Sequence, residues 1–201
     1  MARKKRNLPI KPIIAIYCEG ESETRYFEML KAKYGSVNVH PQKIQVDTLR
    51  KQGLPLLKKA IAKMNRLSGE KRIERAYVVF DRDQISDSEM RECIALAKAN
   101  DMRIIFSSIN IEVWILLHFQ PVTRAYTPTE LYRILSREEY FNTEYQQFKG
   151  QRYDDYLYDR VKIAVENAHR LHVGENTPWF QNNPYTNIDQ YIGEIFGTDE
   201  F

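Results

Sequence analysis

Four acidic residues in two short segments could do chemistry together: Glu19 and Glu23 in Glu19-Gly20-Glu21-Ser22-Glu23, and Asp81 and Asp83 in Asp81-Arg82-Asp83. Carboxylate oxygens are hard ligands suited to Mg²⁺ or Mn²⁺. Mg²⁺ keeps several waters and leaves positions for substrate phosphate oxygens. A pair of such ions can activate a water and stabilise a leaving oxygen, which is what phosphodiester hydrolysis requires. Two carboxylates ~4 Å apart repel by roughly 4 kcal/mol at an effective dielectric near 20, so a close pair must be solvated, protonated or bound to a cation. Glu19 and Glu23 are four apart and face one site if a helix begins early enough. In an extended backbone, Asp81 and Asp83 present their carboxylates on one side. Each segment alone also has an ordinary explanation. Acids at a helix start are stabilising by roughly 0.3–1 kcal/mol each, and an Asp-x-Asp in a loop is commonly just solvated.

The elements around these residues decide whether the acids meet. Ile13–Tyr17 is a short apolar run, as in a strand buried on both faces. It ends at Cys18-Glu19-Gly20, where Gly20 permits a tight turn. Ser22 can cap a helix carrying Tyr26, Phe27, Leu30 and Tyr34 on one face. Lys43–Val46 reads as a second strand. Leu54, Leu57, Ile61, Met64 and Leu67 form a helical stripe ending at Ser68-Gly69. Ala76–Phe80 is a third strand ending at Asp81. A helix from Ser86 or Asp87 to Asn100 precedes a fourth strand, Arg103–Ser107, and Ile111–Phe119 reads as a buried helix. This alternation predicts an α/β fold with a mostly parallel four-stranded sheet flanked by helices. Parallel strands share one C-terminal edge, where such sheets bind ligands, and Glu19 and Asp81 both fall on it.

From about Pro121 the strand signal disappears. Pro128–Ser136, a tyrosine-rich joint at Tyr140–Tyr158, a long helix from about Asp155 to His172, a turn at Asn182-Asn183-Pro184 and a last helix capped by Thr186 make up a helical annex. The expected division is a disordered basic tail over 1–9, an α/β domain over 10–120 and the annex over 121–201.

Further candidates flank the acids. Glu112 precedes an apolar helix near the end of the fourth strand and is either a further metal ligand or a helix-start acid. Ser107 can orient a carboxylate or water. His118 sits among Leu116, Leu117 and Phe119, as a core histidine does. Phosphoryl transfer calls for a cation against developing charge; Lys149, Arg152 and Arg82 are the candidates. Lys149 stands just before Gly150, which could let the chain fold over the site. Tyr153, Tyr156 and Tyr158 either stack bases or, as the apolar setting favours, pack in the annex.

The 201 residues are 43% hydrophobic and 28% charged, enough for one good core. Mean hydropathy is −0.56. No apolar run approaches a membrane span, and Pro9, Lys11 and Pro12 break any signal peptide, so a cytoplasmic location is expected. Cys18 and Cys93 lack metal-ligand spacing. A net charge of +3 is too small to argue for nucleic acid. The basic groups Arg3–Arg6, Lys58/Lys59/Lys63/Arg66 and Lys71/Arg72/Arg75 either follow phosphates or solvate the surface. No Gly-x-x-x-x-Gly-Lys loop is present, so any ATP dependence must come from another chain.

At Glu19 and Asp81-Arg82-Asp83 the sequence resembles a TOPRIM domain, with a Glu after the first strand and Asp-x-Asp after the third. More closely, the whole chain resembles the RloB-like family, a TOPRIM branch found with bacterial anti-phage systems and related to OLD-type nucleases. The residues that carry this are Ile16–Glu23 with Tyr26-Phe27, Val79–Asp83, Ser107-Ser108, Glu112–Phe119, Pro178-Trp179 and Asn182-Asn183-Pro184. The resemblance implies a Mg²⁺-dependent nuclease centre acting on DNA or RNA. Glu19 would be a ligand or general acid/base, Asp81 and Asp83 would be ligands, and Glu23 would help a second metal. It also implies a separate ATPase subunit and a role in abortive infection. Two departures affect site geometry. Ser108-Ile109 replaces a Ser-Asn-Pro pattern, and Gln84-Ile85 stand where a polar residue, often His, follows Asp-x-Asp. Two other readings stay open. One is a non-catalytic nucleic-acid- or nucleotide-binding adaptor of such a system. The other, disfavoured by the order of the acids, is a receiver-type phosphotransfer domain.

Overall fold

The computed structural model describes residues 13–35, 43–69, 72–83, 85–172, 177–198 and 201. The basic tail expected over 1–9, Lys71 and Gln84 lie outside the described residues. The expected alternation is present as β1 (Ile13–Cys18), α1 (Glu21–Gly35), β2 (Lys43–Thr48), α2 (Gly53–Asn65), β3 (Ile73–Asp81), α3 (Asp87–Ala99) and β4 (Met102–Ser108). Then come α4 (Glu112–Leu117), α5 (Pro128–Leu135), α6 (Tyr145–Phe148), α7 (Asp154–Leu157), α8 (Val161–Ala168), β5 (Tyr185–Thr186) and α9 (Ile188–Phe196), with 3-10 turns at Tyr158–Arg160, His169–His172 and Trp179–Gln181.

All six residues of β1 are buried, because β1 lies inside the sheet and is covered on both faces. The strand order is β2-β1-β3-β4-β5. The first four strands are mutually parallel. The chain steps from β1 outward to β2, then crosses back over β1 to β3. With right-handed crossovers, that reversal puts α1 on one face and α2 and α3 on the other. The side chains agree. Ile14, Ile16, Cys18, Tyr77, Val79 and Ile105 share a core with Tyr26, Phe27 and Leu30 of α1. Ala15, Tyr17, Val78, Phe80 and Phe106 share another with Leu56, Leu57, Met90 and Cys93 of α2 and α3. Trp114 of α4, Leu131 of α5, Val161 of α8 and Ile192 of α9 belong to the core on the α1 face.

The sheet has five strands rather than the four expected. β5 pairs antiparallel with β4 through Ser107–Thr186 and Ser108–Tyr185. It is two residues long and follows the Asn182-Asn183-Pro184 turn, so it carries no alternating pattern to read. Thr186, expected as a helix cap, lies in this strand. Asn187 precedes α9 without a side-chain cap and extends the ladder instead. Its Oδ1 accepts from Phe106 N at 2.7 Å and its Nδ2 donates to Ile104 O at 3.1 Å. The long helix expected to reach His172 is a succession of shorter turns. At the tightened turn Tyr158–Arg160, the Lys33 ammonium donates to Tyr158 O.

Candidate functional site

The strand order reverses at β1, so the crevice between β1 and β3 is the topological switch point, where open α/β sheets hold ligands beyond the strand C-termini. The ladder continues past β1, with Glu19 N donating to Val79 O at 2.9 Å and Leu49 N to Cys18 O at 2.8 Å. This places Glu19 beside the end of β3. Its Oε2 accepts from Asp81 N at 3.4 Å, so the two acids separated by 62 residues meet at the crevice.

Asp81 is the last residue of β3 and points to the α1 face, in phase with Tyr77 and Val79. It is 8% exposed and pairs in register with Ser107, whose Oγ lies 3.2 Å from Thr186 Oγ1. Burial raises its carboxyl well above the usual range, and the charges of Glu23, Glu112 and Glu19 add to the rise while Lys149 opposes it.

Glu23 is 5% exposed in the first turn of α1. Its Oε2 accepts from Gly20 N at 3.0 Å, so it serves the helix start as well as facing the cluster. A Cβ at position 20 would stand 3.1 Å from that oxygen, so a larger residue there would press on the Glu23 carboxylate. Burial, then Glu112, push the Glu23 carboxyl up, against that hydrogen bond and Lys149.

Asp83 departs from the expected geometry. Arg82 has already left the strand, and Asp83 adopts a left-handed φ of 33°, which Asp tolerates better than most residues. The i, i+2 alignment of an extended chain is therefore lost. Asp83 is exposed, with Gln52 Nε2 donating to its Oδ2 at 3.4 Å. It stays close enough to raise Glu19. Glu19 itself is pushed up to about 7, first by burial and then by Glu23 and Asp83, against the Asp81 N–H and Lys149.

Glu112 is wholly buried at the start of α4. Lys149 Nζ lies 3.1 Å from its Oε1, Tyr145 OH donates to the same oxygen at 3.5 Å, and Oε2 has no partner. Burial raises the Glu112 carboxyl and Lys149 pulls it back. Burial alone would lower Lys149, but Glu112 and the Tyr132 hydroxyl outweigh it and keep the ammonium charged. Lys149 also donates to Tyr132 OH at 3.1 Å. Gly150, at a left-handed φ of 82°, turns the chain against α1, where a Cβ would stand 3.3 Å from Glu21 Cβ.

The other expected cations are used elsewhere. Arg82 donates to Phe180 O and pairs with Asp87 at 2.6 Å, while Arg152 pairs with Asp154 at 3.0 Å on an exposed loop. His118 is wholly buried, with Nε2 3.1 Å from Tyr26 OH and Nδ1 3.0 Å from Trp114 O, and is a core residue. Tyr153 is buried in the core on the α1 face, its hydroxyl 3.4 Å from that of Tyr145 and bonded to Ser22. Sequence reasoning missed Tyr132 and Tyr145 as the wall around Lys149. The available signal was their place in and beside a tyrosine-rich stretch, with Tyr145 one helical turn before Lys149.

Among the described residues, no three His, Cys, Asp or Glu side chains are gathered as a metal would need. The donors nevertheless suit a hard cation. They are oxygens only; Glu23, Asp81 and Glu112 are buried, burial and neighbouring acids raise Asp81 and Glu23, and Glu112 Oε2 is an orphaned buried acceptor. Carboxylates of like charge hold apart until a cation comes between them. Among the described residues, no helix is long and apolar enough to cross a membrane.

The family model described as RloB-like protein matches residues 14–195, from β1 into α9. No curated protein and no solved structure matches the chain.

Proposed function

The chain belongs to the RloB-like family, and we propose that its sheet-edge carboxylates bind Mg²⁺ or Mn²⁺ and hydrolyse a nucleic-acid phosphodiester in anti-phage defence, alongside a separate ATPase subunit. The observation that carries the hydrolytic reading is the meeting of Glu19 and Asp81 at the crevice where the strand order reverses. The acids follow the first and third strands, which supports reading the sheet as TOPRIM-like with an added antiparallel strand. The defence setting and the ATPase rest on the resemblance.

Glu19, Asp81 and Asp83 are the residues that would hold the cation. Bound there, it supplies Lewis-acid polarisation of a phosphate oxygen and lowers the pKa of a bound water. The chain contributes the rest. In the metal-free chain the Glu19 carboxyl stands at about 7, so it would give up its proton close to neutral pH as the cation binds. Lys149 holds a fixed positive charge beside the buried acids. The buried Tyr145 and Tyr153 beside Glu112 limit water there and strengthen these interactions.

The test is incubation of the purified chain with plasmid, linear DNA and RNA in the presence of Mg²⁺ or Mn²⁺. Cleavage by the wild type and its loss in Glu19→Gln and Asp81→Asn support the reading; equal behaviour of wild type and variants refutes the assignment. A binding adaptor is the second reading, favoured by the outward turn of Asp83. It predicts nucleic-acid binding that persists in both variants, without turnover.

A further inference from the structure

Lys149 is held too closely to be a surface lysine that strays toward an acid. Its ammonium lies 3.1 Å from Glu112 Oε1 and 3.1 Å from Tyr132 OH, and 5.3 Å from the centre of the Tyr132 ring. Tyr145 closes on the same Glu112 oxygen from another side. Gly150 turns the chain against α1 directly afterwards. Lys149 acts electrostatically on Glu19, Glu23, Asp81 and Glu112 alike.

Sites that use two divalent ions keep them about 3.5–4 Å apart and need acids around both. In this chain the acids divide into two groups. Glu19 and the exposed Asp83 lie toward the mouth of the crevice, and the buried Asp81 stands between the two groups, its N–H on Glu19 and its carboxyl raised by burial and by Glu23 and Glu112. Glu23 and Glu112 lie at the closed end of the crevice, 5% and 0% exposed. A fixed monovalent cation already sits at that closed end. A second divalent ion would have to sit against the ammonium beside the wholly buried Glu112 carboxyl, where like charges repel more than they do in water.

We infer that Lys149 takes the place of a second metal ion, so that the cluster binds one divalent cation at the Glu19–Asp81 end. Lys149 is then a positioning residue acting through Glu112. The unpartnered Glu112 Oε2, in a fully buried side chain, marks a latent second site that opens when the lysine charge is removed.

This inference rests on the cation-binding reading above, and the count of bound metal separates the two. Mn²⁺ alone is titrated into the full chain without substrate, and bound ions are counted by electron paramagnetic resonance and by calorimetry. The wild type and Lys149→Arg bind one Mn²⁺. Lys149→Met binds two, as does Lys149→Gln, which keeps a donor for Glu112 Oε1 should the methionine variant fail to fold. The double variant Glu112→Gln/Lys149→Met returns to one, because the acid of the latent site is gone. Two Mn²⁺ in the wild type, or one in a folded neutral variant, overturn the inference while leaving cation binding intact. A wild type that binds no Mn²⁺ overturns cation binding and this inference with it.

Discussion

Lys149 and Glu112 form an ion pair, Nζ to Oε1 at 3.1 Å, with the lysine half-buried and the carboxylate wholly shielded from solvent. Breaking a buried pair by removing one partner is costly because it strands the other charge, whereas replacing both is often near neutral. In metal-free buffer, Lys149→Met is expected to lose about 3–5 kcal/mol of stability. Glu112→Gln/Lys149→Met should recover most of that loss. Denaturant unfolding of the two variants beside the wild type checks the pair.

Asp81 behaves in the opposite way. Its charge is buried among Glu19, Glu23 and Glu112 and is disfavoured by all three. Asp81→Asn keeps the shape and removes the repulsion. It should raise the metal-free melting midpoint by roughly 2–4 °C for each kcal/mol of relief in a chain of this size. The same change should lower hydrolysis at least 100-fold. A midpoint that falls would show that the Asp81 charge is already compensated.

Metal-free stability should depend on pH in the window set by Glu19. Its carboxyl stands at about 7 in the fold against an ordinary 4.5, so between those values the folded chain holds a proton that the unfolded chain has released. Stability contributed by this group is full below the ordinary value and falls as pH rises through about 7. Chemical denaturation from pH 5 to 8 should show that decline, and Glu19→Gln should make it shallower, the raised carboxyls of Asp81, Glu23 and Glu112 supplying the rest.

Cation affinity should run the other way. Carboxylate ligands must be deprotonated to bind, so binding releases protons. Mn²⁺ affinity should therefore increase from pH 6 to pH 8, as Glu19 and the raised Asp81 give up their protons. Calorimetry in buffers of different ionisation enthalpy would show the released protons directly.

Asn187 supplies a prediction away from the acids. Its side chain satisfies Phe106 N and Ile104 O where β5 is too short to do so. Asn187→Ala leaves both groups buried without partners. Each costs about 1–3 kcal/mol, which thermal unfolding would detect. The position of Ser107 against Thr186 would loosen with it.

The parts of this architecture legible in the sequence were those with a repeating signal. The apolar run before Glu19 and the run before Asp81 marked two strands, the helical stripes between strands marked the crossovers, and a parallel sheet brings the strand ends to one edge. That sufficed to place Glu19 and Asp81 together. What escaped had no period. β5 is two residues after a turn, and Asn187 acts by a side chain that imitates backbone. Asp83 was expected in line with Asp81, but a single left-handed residue, which no hydrophobic pattern reports, turned it outward. Lys149 was singled out as a cation by its type and by the glycine beside it. Its pairing with Glu112, 37 positions earlier, depends on how α5 and α6 pack against α4, and long-range packing of that kind leaves no local mark.

The most direct measurement is a crystal structure of the chain soaked or grown with Mn²⁺, read by anomalous scattering. A peak between Glu19 and Asp81, with Lys149 still on Glu112, is the predicted result. An intact cluster at millimolar Mn²⁺ with no anomalous peak at those carboxylates would contradict a metal-dependent hydrolytic centre.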